Sequence, residues 1–235
     1  MTVPDGVQRF DFDRDYGATY QERIRRIVPG YDDLATMMLG ELIGATPSTA
    51  HLLIVGSGGG EEISVMGAAR PRWRFTGVDP SAQMIELARS RLDRLGLTGR
   101  VTLHHGTADG LLPEHTFDAA TLSLVMHFIP GEDGKLALLQ SLARRLRPGA
   151  PLVLVDGHGD PGSPEFAAEF EAWMRYLTLR GMSAADHEEY RAQVNGSCHF
   201  LPESAIRALL ADAGFTGPRL FYRGFLFGGW ITRLR

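Results

Sequence analysis

The sequence predicts an α/β fold: a doubly wound, Rossmann-like, seven-stranded and mostly parallel sheet with an antiparallel C-terminal strand, N-terminal helices, and a helical insertion after strand 5. Three observations carry this reading. Apolar runs of strand length alternate with helix-length amphipathic runs, and short connections between them give right-handed crossovers and a sheet covered on both faces. The first apolar run stops in a glycine cluster, HLLIVGSGGGEE over His51–Glu62. The second, FTGVDPS, ends at Asp79, 23 positions after Gly56. A glycine turn after one strand and an acidic end to the next is the layout of a nucleoside-binding half-sheet, which limits the ligand to something adenosine-like.

The elements follow in order. Thr19–Gly44 reads as helix, with apolar residues at three- and four-residue spacing and a break at Pro29-Gly30. Leu52–Val55 is a strand, Glu61–Ala69 a helix and Trp73–Val78 a strand. Ser81–Leu95 is a helix that opens on a serine cap and closes at Gly96. Val101–His104 and Phe117–Leu124 are strands, Asp133–Leu146 a helix ended by Arg-Pro-Gly, and Pro151–Asp156 the fifth strand. Two successive helices, Pro164–Arg180 and Ala184–Val194, then break the alternation and read as an insertion over the C-terminal edge of the strands. A helix at Pro202–Ala213 and two aromatic strands, Arg219–Tyr222 and Phe225–Thr232, with a turn near Arg223-Gly224, complete the chain. The expected organisation is a single domain over 1–235: a helical lid (1–46), a cofactor-binding core (50–160), a helical cap (161–200), and a helix with the C-terminal hairpin (201–235).

Composition narrows the partners. A formal charge of −4, from 24 basic and 28 acidic side chains, offers no surplus for phosphate neutralisation, so no nucleic-acid partner is expected. The clusters Arg23, Arg25, Arg26 and Arg70, Arg72, Arg74 read as solvated faces. The single cysteine, Cys198, excludes an internal disulfide. With no secretory h-region and no membrane-length apolar run, the expectation is a cytoplasmic protein without membrane contact. No Cys/His spacing suggests a metal.

The residues after the glycines select among adenosine ligands. In the dinucleotide pattern the third glycine would fall at position 61, where this chain has Glu61-Glu62. A dinucleotide sets its pyrophosphate at the helix N-terminus, and two carboxylates there compete with it. A sulfonium ligand carries no phosphate and tolerates them, whether or not they also cap the helix dipole. Asp79 is placed to accept both ribose hydroxyls, against a plain N-cap role, and Pro80 and Met84 fit the nucleoside edge. Thr107, Ala108 and Asp109, after the third strand, lie where adenine would be read, and the loop Ser123–Phe128 completes the floor.

Taken together, the glycine loop, VDPS, GTAD, SLVMHF, RLRPG and the closing aromatic hairpin resemble the class I S-adenosylmethionine-dependent methyltransferases over roughly 50–235. IVPGYDDL and ALLADAGFTGPRLFYRGFLFGGW add a closer likeness to the carboxy-S-adenosylmethionine synthases and their methyltransferase relatives. The resemblance implies S-adenosylmethionine as cofactor, with Tyr31, Gly56, Ser57, Gly58, Asp79, Pro80, Thr107, Ala108, Ser123 and, loosely, Arg191 against it. Departures from that pattern are Ile54, where an acidic residue is usual, Thr107, where a negative one often meets adenine, and Ser123, an asparagine in the synthases.

The implied activity is methyl transfer to a small-molecule acceptor. The alternatives are a carboxy-S-adenosylmethionine-forming transferase, a nucleotide-dependent oxidoreductase, or a non-catalytic cofactor sensor. In methyl transfer the donor is already activated, so the protein chiefly positions the acceptor, and a base is needed only for a protonated one. His127 is the first candidate for base or orienting group, against a satisfied polar loop side chain. His158, Tyr20 and Arg191 are candidates for substrate contact; Arg191 would pair with a carboxylate, or else be a solvated helix arginine. Tyr16, Tyr20, Tyr31, Trp173 and Tyr176 would cover the site, although Trp173 and Tyr176 also suit packing on the sheet. The N-terminal helices and C-terminal hairpin could serve a homodimer or the core.

Overall fold

A computed structural model describes Phe10, Phe12, Asp13 and residues 15–111 and 116–235, with backbone alone for 15–18 and 184–185. The seven strands form one sheet in the order β3-β2-β1-β4-β5-β7-β6. β1 (His51–Val55), β2 (Arg74–Asp79), β3 (Val101–His105), β4 (Ala119–Ser123) and β5 (Pro151–Gly157) are mutually parallel. β7 (Phe227–Leu234) runs antiparallel between β5 and β6 (Phe215–Gly224). The chain reverses direction across the sheet at β1/β4, where an open α/β sheet carries its ligand crevice.

Two apolar layers sandwich the sheet. One packs Leu52, Ile54, Phe75, Val153 and Val155 under α1 (Asp15–Ile27), α2 (Tyr31–Ile43), α3 (Glu61–Ala69) and α4 (Ala82–Arg94). The other packs Leu53, Leu122, Leu152 and Leu154 under α5 (Gly131–Ala143) and α8 (Glu203–Asp212). Strand residues of adjacent number fall in opposite layers, as a two-residue side-chain period requires. The insertion folds as α6 (Pro164–Leu179) and α7 (Ala184–Ser197). Their start signals are serine caps: Ser163 accepts from the Phe166 amide and Ser183 from the Asp186 amide.

Several boundaries depart from the sequence expectation. Trp73 lies just before β2, fully buried, with its indole N–H on the Pro47 carbonyl; its apolar bulk suits a strand but serves a loop anchor. Phe117 pairs only with Leu146, and Leu124 turns out of β4 at φ +57°. α5 begins at Gly131 and stops at Ala143, earlier than its apolar period suggests. β6 is longer than read, β7 keeps its length but starts two residues later, and the turn sits at Phe225-Leu226 rather than Arg223-Gly224, with Phe225 at φ +50°.

Candidate active site

A cavity of about 730 Å³ opens at the C-terminal ends of β1, β2, β3 and β4. That is within the usual span of small-ligand sites, roughly 300–1,000 Å³. The glycine turn forms its floor. Gly56 has φ +69°, and a Cβ there would sit 2.1 Å from Val125 Cγ2, so the backbones after β1 and β4 meet only because the side chain is absent. Asp79, 7% exposed at the end of β2, ties this turn down: the Gly58 amide donates to Oδ2 at 2.8 Å and the Ser81 amide to Oδ1 at 2.9 Å. Burial, which outweighs these bonds, shifts its carboxyl upward. Each oxygen keeps lone-pair capacity for a further donor, as a vicinal diol needs. Pro80, Met84, Gly106, Thr107, Ala108 and Ser123 continue the wall.

The loop after β3 is braced from behind. Arg145, 3% exposed, donates to the carbonyls of Asp109 (3.1 Å) and Leu111 (2.6 Å) and to Ser141 Oγ and O (2.8 Å each). From the front, Phe12 and Asp13 cross the start of α4. Ser81 Oγ donates to Asp13 Oδ1 at 2.7 Å and lies 3.1 Å from the Phe12 carbonyl, so the N-terminal segment roofs the Asp79 end. α1 closes over the glycines through Gln21, which accepts from Arg91; Arg91 also pairs with Glu61.

A second, small recess of about 40 Å³ adjoins this cleft and shares Phe10, Tyr20, Leu124 and Phe128 with it. Aromatic and aliphatic groups from the lid and cap dominate its walls, among them Trp173, Tyr190, Phe200 and Phe227. His127 is its principal polar group. His127 Nδ1 lies 2.5 Å from Asp156 Oδ1, and both residues are buried. The neutral tautomer that hydrogen-bonds Asp156 has its proton on Nδ1 and its lone pair on Nε2. The pair arises from sheet register: Ser123 lies beside Val155, so the ends of β4 and β5 are neighbours. Leu124, between them, holds left-handed backbone, a conformation costing ~1–2 kcal/mol for a non-glycine residue. Behind the pair, the buried Lys135 ammonium donates to the Met126 carbonyl at 2.5 Å, fixing the turn that presents His127. Burial and the Asp156 charge push the Cys198 thiol up to about 12, which removes it as a nucleophile.

The structure therefore brings Gly56, Gly58, Asp79, Pro80, Met84, Thr107, Ala108, Ser123 and Tyr20 to the wide cleft and His127 to the recess. It does not bring four others. Ser57 turns toward Gly77 on β2 and lines neither space. Tyr31 lies under α3, its phenol shifted upward by burial and by Glu62 and Glu61. His158 is packed edge-on to Trp230 at 5.2 Å, and burial depresses its basicity. Arg191 is engaged by Glu171 at 2.6 and 3.3 Å and lies over the Phe170 ring, away from both spaces. α7 directs that position to α6. Tyr176 packs on Phe225, and the Tyr16 side chain lies outside the described residues. Phe10, Phe12, Asp156, Lys135 and His199 were missed; only Asp156, at the end of an expected strand beside that of His127, had a sequence signal.

The site fits an adenosine-linked sulfonium: a diol acceptor at one end, a glycine cradle, and no phosphate-binding cation among the described lining residues. No group of metal-ligating side chains occurs among the described residues, and no described helix is long and apolar enough to cross a membrane.

Comparison with known proteins agrees with this geometry. Residues 53–152 match the family described as "Methyltransferase domain". The chain is 25% identical over 225 residues to a carboxy-S-adenosyl-L-methionine synthase of Actinobacillus succinogenes, covering 95% of this chain and 92% of that one. It is 26% identical over 216 residues to a demethylmenaquinone methyltransferase of Listeria welshimeri, covering 84% and 89%. In three dimensions it is similar to the mitomycin 7-O-methyltransferase MmcR, with TM-score 0.61 and 20% identity, over 86% of this chain and 54% of that one. The chain thus spans about half the length of that structure, and the likeness is one of fold.

Proposed function

We propose that this chain is a class I S-adenosylmethionine-dependent methyltransferase and that it methylates a small, flat, largely apolar acceptor through an ionisable O–H or N–H group. The observation that carries this is the aromatic recess with the His127–Asp156 pair in its wall, adjoining the donor cleft. The bound donor supplies an activated methyl group on a sulfonium. Asp79 and the glycine turn hold the nucleoside; the body of the acceptor lies in the wide cleft, and the recess, at about 40 Å³, admits only its reacting edge beside His127. His127 Nε2 takes the acceptor's proton as the acceptor's oxygen or nitrogen bonds the methyl carbon and the methyl–sulfur bond breaks, its electron pair leaving with S-adenosylhomocysteine; Asp156 offsets the resulting imidazolium charge. We take the acceptor to be free in the cytoplasm and unconnected to nucleic acid, in keeping with the formal charge of −4.

The test is a panel of phenols, enols and heteroaromatic N–H compounds offered with methyl-labelled donor. Labelled planar, uncharged products are expected. Turnover confined to polyanionic or macromolecular acceptors would overturn the reading. A second reading, a carboxylated donor, is favoured by the similarity to the synthase over 95% of the chain. The lining argues for the plain donor, since no arginine or lysine is found among the described lining residues to meet an added carboxylate. Mass spectrometry of ligand co-purified with the protein separates the two.

A further inference from the structure

The two glutamates that open α3 have opposite surroundings. Glu61 turns outward and takes both nearby guanidinium groups, Arg91 and, at 3.6 Å, Arg25. Glu62 turns inward. Thr121 Oγ1 donates to its Oε2 at 2.7 Å, at the end of β4, and the nearby Ser123 hydroxyl further favours its ionised form. It lines neither space itself, but it is only partly exposed and stands directly behind the end of β4. The neighbouring Ser123 is itself a wall of the wide cleft. A carboxylate so enclosed with hydroxyl partners alone bears a large desolvation cost, which an incoming cation offsets.

We propose that Glu62, behind Ser123 at the glycine-turn end of the cleft, is a specificity residue that receives the ammonium of the donor's amino-acid portion. This rests on the methyl-donor reading above. It also predicts proton release on binding. Burial raises the Glu62 carboxyl to about 7 without ligand, so near neutrality it is partly protonated. A cation beside it favours the ionised form and lowers that value, so affinity climbs as pH rises toward and past 7 and then levels. The groups facing it are Thr121 and Ser123 from β4, Tyr31 from α2, Glu61 from its own helix, and Arg25 and Arg91 from α1 and α4 by way of Glu61. None of these brings a second cation to the Glu62 carboxylate.

Calorimetric titration of the full chain with S-adenosylhomocysteine and with methylthioadenosine, which lacks the amino-acid portion, tests this. Run near neutral pH in buffers of different ionisation enthalpy, the wild type should release protons with the first ligand and fewer with the second. Glu62→Gln keeps a partner for Thr121; it should weaken S-adenosylhomocysteine by about 10–100-fold and change methylthioadenosine less than about 2-fold. Equal losses for both ligands would make Glu62 a structural residue and overturn the proposal. So would equal proton release for both ligands by the wild type, a measurement that stands even if the variant fails to fold. Absence of any S-adenosylhomocysteine binding to the wild type would instead remove the donor reading, and the proposal with it, before any variant is made.

Discussion

The two ends of the ligand crevice are built in different ways. The nucleoside end is backbone held by a few polar side chains: a glycine turn, the Asp79 carboxylate on two amides, and a loop braced by Arg145. The acceptor end is side chains from distant segments, with Phe10, Tyr20, His127, Trp173, Tyr190, Phe200 and Phe227 meeting around about 40 Å³. The first construction keeps one ligand while the surface varies. The second allows the acceptor to change with a few substitutions. The comparison implies that donor binding and turnover are separable by mutation.

The sharpest way to break it is the His127–Asp156 pair. Asp156→Asn removes the charge that orients and balances the imidazole, and His127→Ala removes the ring. Either should lower turnover with an ionisable acceptor by ~10²–10⁴-fold, with S-adenosylhomocysteine affinity nearly unchanged. Single-turnover assays beside calorimetry check this, and a parallel loss of donor affinity would show that the two ends are one unit.

Asp79→Ala probes the other end and should produce a smaller effect in the opposite pattern. It leaves the Gly58 and Ser81 amides and the ligand diol without an acceptor, weakening S-adenosylhomocysteine by ~1–3 kcal/mol. Unchanged affinity by calorimetry would remove Asp79 from the ribose role.

The same contrast governs what could be read in advance. β1, α3 and β2 follow from apolar runs ended by glycine or Asp-Pro, so Gly56, Gly58 and Asp79 were legible one at a time. Asp156 was legible only as the end of a strand; that it meets His127 depends on β5 lying beside β4, a fact of register and not of local pattern. Phe10 and Phe12 sit in irregular chain with no period to mark them. Lys135 looks like a solvated helix residue in sequence and is 1% exposed, because its ammonium reaches the Met126 carbonyl. Arg191, matched by order along the chain and with a solvated helix arginine as the alternative, is held by Glu171 on α6.

A milder test concerns how the acceptor end is held together. Trp173 Nε1 donates to the Ile27 carbonyl at 2.8 Å, joining the cap helix α6 to the lid helix α1 where both line the recess. Trp173→Phe keeps a ring but leaves a carbonyl unpaired at a buried site, costing ~1–2 kcal/mol. A chain of this size should then melt lower by about 2–4 °C per kcal/mol. If the cap is an independent cover, acceptor KM should rise while donor affinity holds; a matching fall in donor affinity would place the lid and cap in both ends.

The smallest expected effect discriminates most between donors. Arg191 and Glu171 form a partly exposed ion pair between α7 and α6, and pairs of that kind contribute ~0–1 kcal/mol. Arg191→Ala should therefore move stability by less than about 1 kcal/mol and leave S-adenosylhomocysteine affinity unchanged. A carboxylated donor analogue should be equally indifferent, because the guanidinium is turned to Glu171 and lines neither space. If affinity for the carboxylated analogue alone collapses, α7 must swing Arg191 from Glu171 into the crevice on binding. The likeness to the synthase would then extend from fold to ligand, and the acceptor end would be a carboxylate site that closes only around its occupant.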